Sequence, residues 1–274
     1  MAMRVGFIGL GSQGGPMARR IVDAGYPTTL WARRSASLEQ YADTAAKVAG
    51  SPAELAADSD LVCLCVVSDA DVDQVVDGEQ GVLAGLGSGG VLAVHSTVHP
   101  DTCRRLAQRA AERGIAVLDA PVSGGGMAAV DGHLLVMVGG DSAVVERCRP
   151  VFATYGDPVV HLGDVGAGQV TKLLNNLLFT ANLATASSTL TLGQTLGIDA
   201  QRLGEVISHG TANSFALGRI ASAGGSLDRI AAHAGSLLRK DVGLVAELAT
   251  AAGAPSGPVL DAADATLALM NHSR

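Results

Sequence analysis

The sequence predicts an α/β chain: a doubly wound parallel sheet first, then an all-helical C-terminal domain. Three observations carry that expectation. Short β-rich runs, apolar throughout, alternate with amphipathic runs of helical period up to about residue 163. Strand signals then stop, and Ala- and Leu-rich helical patterns continue to the end. Charge divides at the same place: residues 1–164 hold 12 basic and 19 acidic side chains, and residues 165–274 hold seven of each. Strands that are apolar on both faces need helices on both sides of the sheet, which is the doubly wound arrangement.

In order, strands are expected at Val5–Ile8, 28–32, 61–67, 91–96, 116–118 and Leu134–Val138. Helical patterns fall at 15–24, 38–46, 71–76 and 100–113, and the Gly-rich stretch 78–90 reads as a surface loop. The domains are therefore expected at 1–164 and 165–274. Residues 173–198 carry no charge, but half of them are Asn, Ser, Thr, Gln or Gly. Asn175, Asn176 and Asn182 would be costly in lipid, so a long helix buried between domains or subunits is expected rather than a membrane span.

Composition excludes several classes. With 48% apolar residues the chain can offset the entropy of ordering itself, so disorder is excluded. A net charge of −7 argues against a nucleic-acid partner. The first residues show no basic region followed by an apolar core and a cleavage site, so a cytoplasmic protein is expected. The four cysteines, Cys63, Cys65, Cys103 and Cys148, have no metal-ligand spacing and read as reduced thiols. The histidines form no cluster, so no metal site is expected. Of the 19 basic residues only Lys47, Lys172 and Lys240 are lysines.

The first expected strand runs into Gly9-Leu10-Gly11-Ser12-Gln13-Gly14, a G-x-G-x-x-G, with a helix following at once. Gly9 permits the tight turn, Gly11 lets the backbone approach a pyrophosphate, and Gly14 allows close helix–strand packing. The anion would face the helix N-terminus, where unpaired N–H groups and the helix dipole favour it. At the first strand–helix junction of a parallel sheet this motif identifies a Rossmann-type dinucleotide site. An NAD site usually places an acid at the end of the second strand to hold the ribose 2′-OH. Here that strand ends in Arg33-Arg34, and no acid appears before Glu39. Guanidinium groups pair bidentately with a 2′-phosphate, so NADP is expected, with NAD as the alternative.

Two further segments carry chemistry. Asp119-Ala120-Pro121-Val122-Ser123-Gly124-Gly125-Gly126 resembles the substrate-binding signature of the β-hydroxyacid dehydrogenases. Gly166-Ala167-Gly168-Gln169-Val170-Thr171-Lys172-Leu173-Leu174-Asn175-Asn176 resembles their catalytic G-x-G-x-x-x-K-x-x-N-N. Residues 6–17 are similar to the family's cofactor motif, and Lys240-Asp241 to a pair near its C-terminus. The four motifs stand in the family's order and span nearly the whole chain. The family includes 3-hydroxyisobutyrate dehydrogenase, tartronate semialdehyde reductase and glyoxylate/succinic semialdehyde reductases.

The resemblance implies a Rossmann domain and an all-helical domain joined by a long helix beginning near Gly168. It implies hydride transfer between a nicotinamide and a short β-hydroxy acid or its semialdehyde, and a homodimer or homotetramer. Lys172, Asn175 and Asn176 take the catalytic positions. Ser123 and the N–H groups of Gly124 and Gly125 can form a nest for the substrate carboxylate. A lysine beside the reacting oxygen can carry its proton once burial or a neighbouring charge lowers the amine from about 10.4 toward neutrality. Asn175 and Asn176 lie three and four residues beyond Lys172, on its helix face. By resemblance Val67, Ser96 and Thr97 border the cofactor, and Lys240 reaches it.

Three positions depart from the family pattern: His95 stands where Asp is usual, Ser188 where Glu is usual, and His233 where an aromatic is usual. His233 is expected at the substrate, making the pocket more polar. Two other functions compete. Imine reductases resemble this architecture but usually lack the catalytic lysine, so Lys172 argues against that reading. A non-enzymatic nucleotide-binding module would be marked by loss of Lys172 or Ser123, and both are present.

Overall fold

Side chains of β1 (Val5–Ile8) alternate between two apolar layers. Val5 and Phe7 are buried with Met17, Ile21, Leu30, Phe152 and Tyr155 on one face. Ile8 is buried with Leu55, Val62, Leu64, Val94 and Leu106 on the other. Each such side chain, fully buried, stabilises by about 1.5–3 kcal/mol before ordering entropy is charged against it. The molecule is described by a computed structural model covering residues 2–274.

β1 is flanked by β2 (Thr28–Trp31), β3 (Lys47–Val48), β4 (Leu61–Leu64), β5 (Val91–Val94) and β6 (Ala116–Asp119). The six form one parallel sheet in the order β3-β2-β1-β4-β5-β6. Strand order reverses at β1/β4, and ligands of such sheets bind outside the carboxyl ends of the strands at that point. The connecting helices are α1 (Gly14–Asp23), α2 (Pro52–Ala57), α3 (Asp69–Val76), α4 (Val82–Gly85) and α5 (Pro100–Ala111).

The expected strands form, but Leu134–Val138 sits elsewhere. It is β8 of a second, three-stranded sheet in the order β7 (Val122–Ser123), β8, β9 (Gly156–His161). The cause lies at the end of β6. Asp119 and Gly139 exchange backbone hydrogen bonds of 3.1 and 2.8 Å in an antiparallel bridge, so β8 runs against β6 instead of extending the parallel sheet. The helices α6 (Gly125–Asp131) and α7 (Ser142–Phe152) belong to this part.

Segment 38–46 also differs from expectation. A 3₁₀ helix spans Ser35–Tyr41 and ends there. The Thr44 hydroxyl donates to the Tyr41 carbonyl and accepts from Ala46 N–H, so local side-chain bonding replaces a further helical turn. The expected loop at 78–90 holds the single turn α4, capped by Gly81.

The remaining helices are α8 (Ala167–Thr195), α9 (Ala200–Ser208), α10 (Phe215–Ala221), α11 (Asp228–Ala251) and α12 (Gly257–Leu269). Contacts divide the chain into two compact units, Met1–Lys172 and Leu173–Arg274, and the division falls inside α8. The second unit has its own core, in which Leu173, Leu177, Leu190, Leu217, Val242 and Leu267 are buried. There the Thr266 hydroxyl enters the α8 ladder: it donates to the Thr180 carbonyl and accepts from Ala184 N–H. Among the described residues no helix is long and apolar enough to cross a membrane.

Candidate cofactor and substrate site

The nucleotide loop is shaped by three glycines with different reasons. Gly9 has φ +99°, and a Cβ there would stand 2.0 Å from the Cys65 carbonyl oxygen. A Cβ on Gly14 would stand 2.0 Å from the Gly9 carbonyl oxygen. A Cβ on Gly11 would meet nothing within 4 Å. Two glycines are thus demanded by the fold itself, and the third leaves open space before the helix. Gln13, at the N-cap of α1, makes no side-chain cap, and the first turn has no acid. Leu10 is buried, while Ser12 is exposed. An uncapped helix start facing open space fits a pyrophosphate, since it leaves N–H donors and the positive dipole end for the anion.

Arg33 and Arg34 follow β2 and are exposed. Arg33 pairs with Asp71 Oδ1 at 2.9 Å, so its guanidinium is shared with an acid of α3. Asp71 also closes the capping box of α3 with Ser68, and the Ser68 hydrogen bond, with Arg33 nearby, holds its carboxyl below the usual range. Val67 is exposed in the turn after β4. Ser96 is buried after β5, and its Oγ accepts from Val66 N–H at 2.8 Å, which ties the ends of β4 and β5 together. Thr97 is half-buried beside it.

The signature loop comes next. Ser123 pairs across the small sheet with Leu135. Gly124 and Gly125 have φ of +132° and +78°, conformations that an L side chain rarely adopts, and both are exposed. A Cβ on Gly126 would stand 2.9 Å from the Ser12 carbonyl oxygen. The backbone of the signature loop therefore lies directly against the nucleotide loop, an approach that residue spacing did not reveal.

Asp119 and Gln169 are fully buried, and sequence reasoning singled out neither. Asp119 Oδ1 accepts from Gly166 N–H and Oδ2 from Gln169 N–H, both at 2.7 Å, at the start of α8. Burial raises the Asp119 pKa, and these backbone bonds act against the rise. Gln169 Nε2 donates to the Ser96 carbonyl at 2.8 Å, and its Oε1 accepts from Val98 N–H at 3.1 Å. Lys172 follows one turn later on α8 and is buried, with 9% of its surface exposed.

His95 is buried against the aromatic layer, T-shaped on Phe152 and Tyr155. Its Nδ1 lies 2.6 Å from the Ala120 carbonyl and can only donate there. Nε2 is then the acceptor for the Tyr155 hydroxyl at 3.2 Å. Burial lowers the His95 pKa to about 4, so the ring is neutral at pH 7. This departure from the family pattern is thus a neutral polar tie between the end of β5 and the residue leading into the signature loop. All four cysteines are free, and burial pushes the Cys63, Cys103 and Cys148 thiols up.

In the second unit, Asn176 Nδ2 donates to Asp241 Oδ2 at 2.6 Å, and Asn175 Nδ2 donates to Asn176 Oδ1 at 3.1 Å. Asp241 Oδ1 lies 3.4 Å from Lys240 Nζ. Ser188 is exposed on α8. His233 is exposed on α11, where its Nδ1 bonds the Arg229 carbonyl of its own helix at 2.8 Å. Among the described residues no group of three or more His, Cys, Asp or Glu could hold a metal ion.

Residues 4–163 match the model of the NAD-binding domain of 6-phosphogluconate dehydrogenase. Residues 166–273 match that of the NAD-binding domain of NADP-dependent 3-hydroxyisobutyrate dehydrogenase. The 2-(hydroxymethyl)glutarate dehydrogenase of Eubacterium barkeri is 34% identical over 90% of this chain and 82% of its own. The NAD-dependent L-serine dehydrogenase of Pseudomonas aeruginosa is 32% identical over 90% of this chain and 86% of its own. The structure of Mycobacterium tuberculosis 3-hydroxyisobutyrate dehydrogenase with L-serine superposes with a TM-score of 0.85 at 29% identity, covering 96% of this chain and 92% of that one. With both halves matched in order and a relative 34% identical over 90% of this chain, the chain belongs to the β-hydroxyacid dehydrogenase family of NAD(P)-dependent oxidoreductases.

Proposed function

We propose that the protein interconverts a short β-hydroxy acid and its semialdehyde, with NADP as the preferred cofactor and Lys172 as general acid and base. The observation that carries this reading is a buried lysine one turn into a helix whose start is bonded to the ends of β5 and β6. Residues 1–164 serve as the dinucleotide domain and 165–274 as the substrate and oligomerisation domain.

Gly9, Leu10, Gly11, Ser12, Gln13 and Gly14 form the turn and helix start that hold the pyrophosphate, and Arg33 and Arg34 hold the 2′-phosphate. Ser96 and Thr97 border the nicotinamide, Val67 contributes to the cofactor site, and Lys240 reaches the cofactor. When bound, the nicotinamide supplies or accepts the hydride. The Ser123 hydroxyl and the N–H groups of Gly124 and Gly125 hold the substrate carboxylate. In reduction Lys172 donates a proton to the carbonyl oxygen as it becomes a hydroxyl, and in oxidation it takes that proton back. Asn175 and Asn176 orient the ammonium and the substrate, and His233 adds polarity at the pocket. The neutral composition of the helical half also supports a homodimer or homotetramer, because charge is depleted at interface cores. The partner molecule is a small carboxylate, in the cytoplasm.

NADPH oxidation by the purified protein tests the reading, with succinic, methylmalonic and tartronic semialdehydes and glyoxylate as substrates. Turnover of at least one supports it. Turnover of a cyclic imine and of none of these would replace it with imine reduction.

A further inference from the structure

A helix start is ordinarily capped by a side chain next to it in sequence, since its first N–H groups lack partners. The start of α8 is capped from far away. Its cap is Asp119, at the end of β6, which takes the N–H groups of Gly166 and Gln169 on its two oxygens. Residue 119 also opens the segment leading into Ser123. The approach is close: a Cβ on Gly168 would stand 2.4 Å from the Met137 carbonyl oxygen and 2.9 Å from Asp119 Oδ2.

Gln169 adds a second anchor, in the segment that follows β5. Its amide takes the Ser96 carbonyl and the Val98 N–H, the peptide groups on either side of Thr97. A two-point bond to one planar amide fixes orientation as well as distance. Both ends of that side-chain amide are hydrogen-bonded, and the residue is fully buried. Lys172 lies three residues on, about 4.5 Å along the axis at 1.5 Å per residue. A helix turn is stiff, so a shift at Gln169 is passed to Lys172.

We propose that Gln169, with Asp119 as the second anchor, is a positioning residue that sets where the Lys172 amine stands relative to segment 96–98. The inference rests on the proposed role of Lys172 in proton transfer. A misplacement of about 1 Å in a reacting group can cost about 100-fold in rate. The two anchors hold the lysine's turn to the segment proposed to border the nicotinamide and to the strand that leads into the carboxylate-binding loop.

The test uses Gln169→Met and Gln169→Glu in the full chain, alone and combined with Lys172→Ala. Gln169→Met removes both side-chain bonds at similar volume. The expected result is a kcat loss of about 10- to 100-fold, with KM within about threefold and NADPH affinity within about twofold of the parent. In the Lys172→Ala background the same change should cost nothing further. Gln169→Glu, ionised, presents an oxygen to the Ser96 carbonyl. Protonated, it regains a donor there, so its kcat relative to the parent should recover as pH falls.

A readout without turnover accompanies these: the pH dependence of Lys172 labelling by an amine reagent, read by peptide mass spectrometry. A changed labelling profile in Gln169→Met supports the positioning role even if no semialdehyde is turned over, an outcome that would remove only the proposed reaction. Parent-like kcat together with parent-like Lys172 labelling in Gln169→Met would overturn the inference. So would an equal kcat loss with and without Lys172. If Gln169→Met fails to fold, the pH recovery of Gln169→Glu decides: recovery supports the role, and a flat ratio to the parent contradicts it.

Discussion

Asn176 holds Asp241 by a 2.6 Å hydrogen bond between α8 and α11, and Asp241 is 97% removed from solvent, with 3% exposed. Asp241 Oδ1 makes no hydrogen bond, although Lys240 Nζ stands 3.4 Å away. Asn176 thus supplies the hydrogen bond to this buried carboxylate, beside the Lys240 ion pair. Asn176→Ala should cost about 1–3 kcal/mol, the usual penalty for leaving a buried polar group without its partner. Asn176→Asp should cost more, because it sets two carboxylates against each other. Thermal melts followed by circular dichroism check this, and Asn176→Asp melting at or above Asn176→Ala would contradict it.

The nucleotide loop separates stability from binding. Gly9→Ala places a Cβ against the Cys65 carbonyl at a φ of +99°, so the protein should lose several degrees of Tm or fail to fold. Gly11→Ala meets nothing within 4 Å, so Tm should stay within about 2 °C, the size of an ordinary surface substitution. NADPH affinity should nonetheless fall, by about tenfold or more if the pyrophosphate approaches within hydrogen-bond distance there. Nicotinamide fluorescence titration reads the second effect. Unchanged affinity in Gly11→Ala would move the pyrophosphate away from this loop.

His95 makes stability depend on pH. Its pKa is about 4 in the folded chain, against about 6.5 unfolded. Between those values the unfolded state binds the extra proton. Stability is therefore full above about pH 6.5 and falls as pH drops toward 4, by at most about 3 kcal/mol from this group. His95→Phe should flatten that part of the curve, though it also loses the Ala120 and Tyr155 bonds and should be less stable at pH 7. Urea unfolding at a series of pH values checks it. An unchanged slope in His95→Phe would assign the acid sensitivity to other groups.

On the proposed reading, Arg33 and Arg34 set the cofactor choice. Replacing both with Ala should raise the Kd for NADPH by about 10- to 100-fold, as expected for two charge-assisted contacts. The Kd for NADH should change little. Because Arg33 is shared with Asp71, Arg34→Ala alone should account for the larger part. Equal losses for both nucleotides would remove the 2′-phosphate assignment.

Much of this was legible in the residues. Continuous apolar runs between helical patterns gave away the parallel sheet, and Val5–Ile8 followed by glycine placed the nucleotide loop. What stayed hidden was non-local or locally ambiguous. Leu134–Val138 reads as a strand, but only the Asp119–Gly139 bridge decides which sheet it joins. The Asp119 and Gln169 bonds link positions about 50 to 70 residues apart, where no periodicity reports them. One missed helix had a readable signal: Ser51 caps Glu54 N–H while Glu54 accepts from Gly50 N–H, a start pattern ahead of Pro52–Ala57. Asp241 was visible beside Lys240, but its bond to Asn176 was not.

On the proposed reading Lys172 moves the proton. Steady-state reduction of the best semialdehyde by Lys172→Ala tests it most directly. Lys172→Ala should lose about 100- to 10,000-fold in kcat, the range for a positioned general acid, with NADPH affinity within a few-fold of the parent. Lys172→Ala retaining the parent kcat would contradict it.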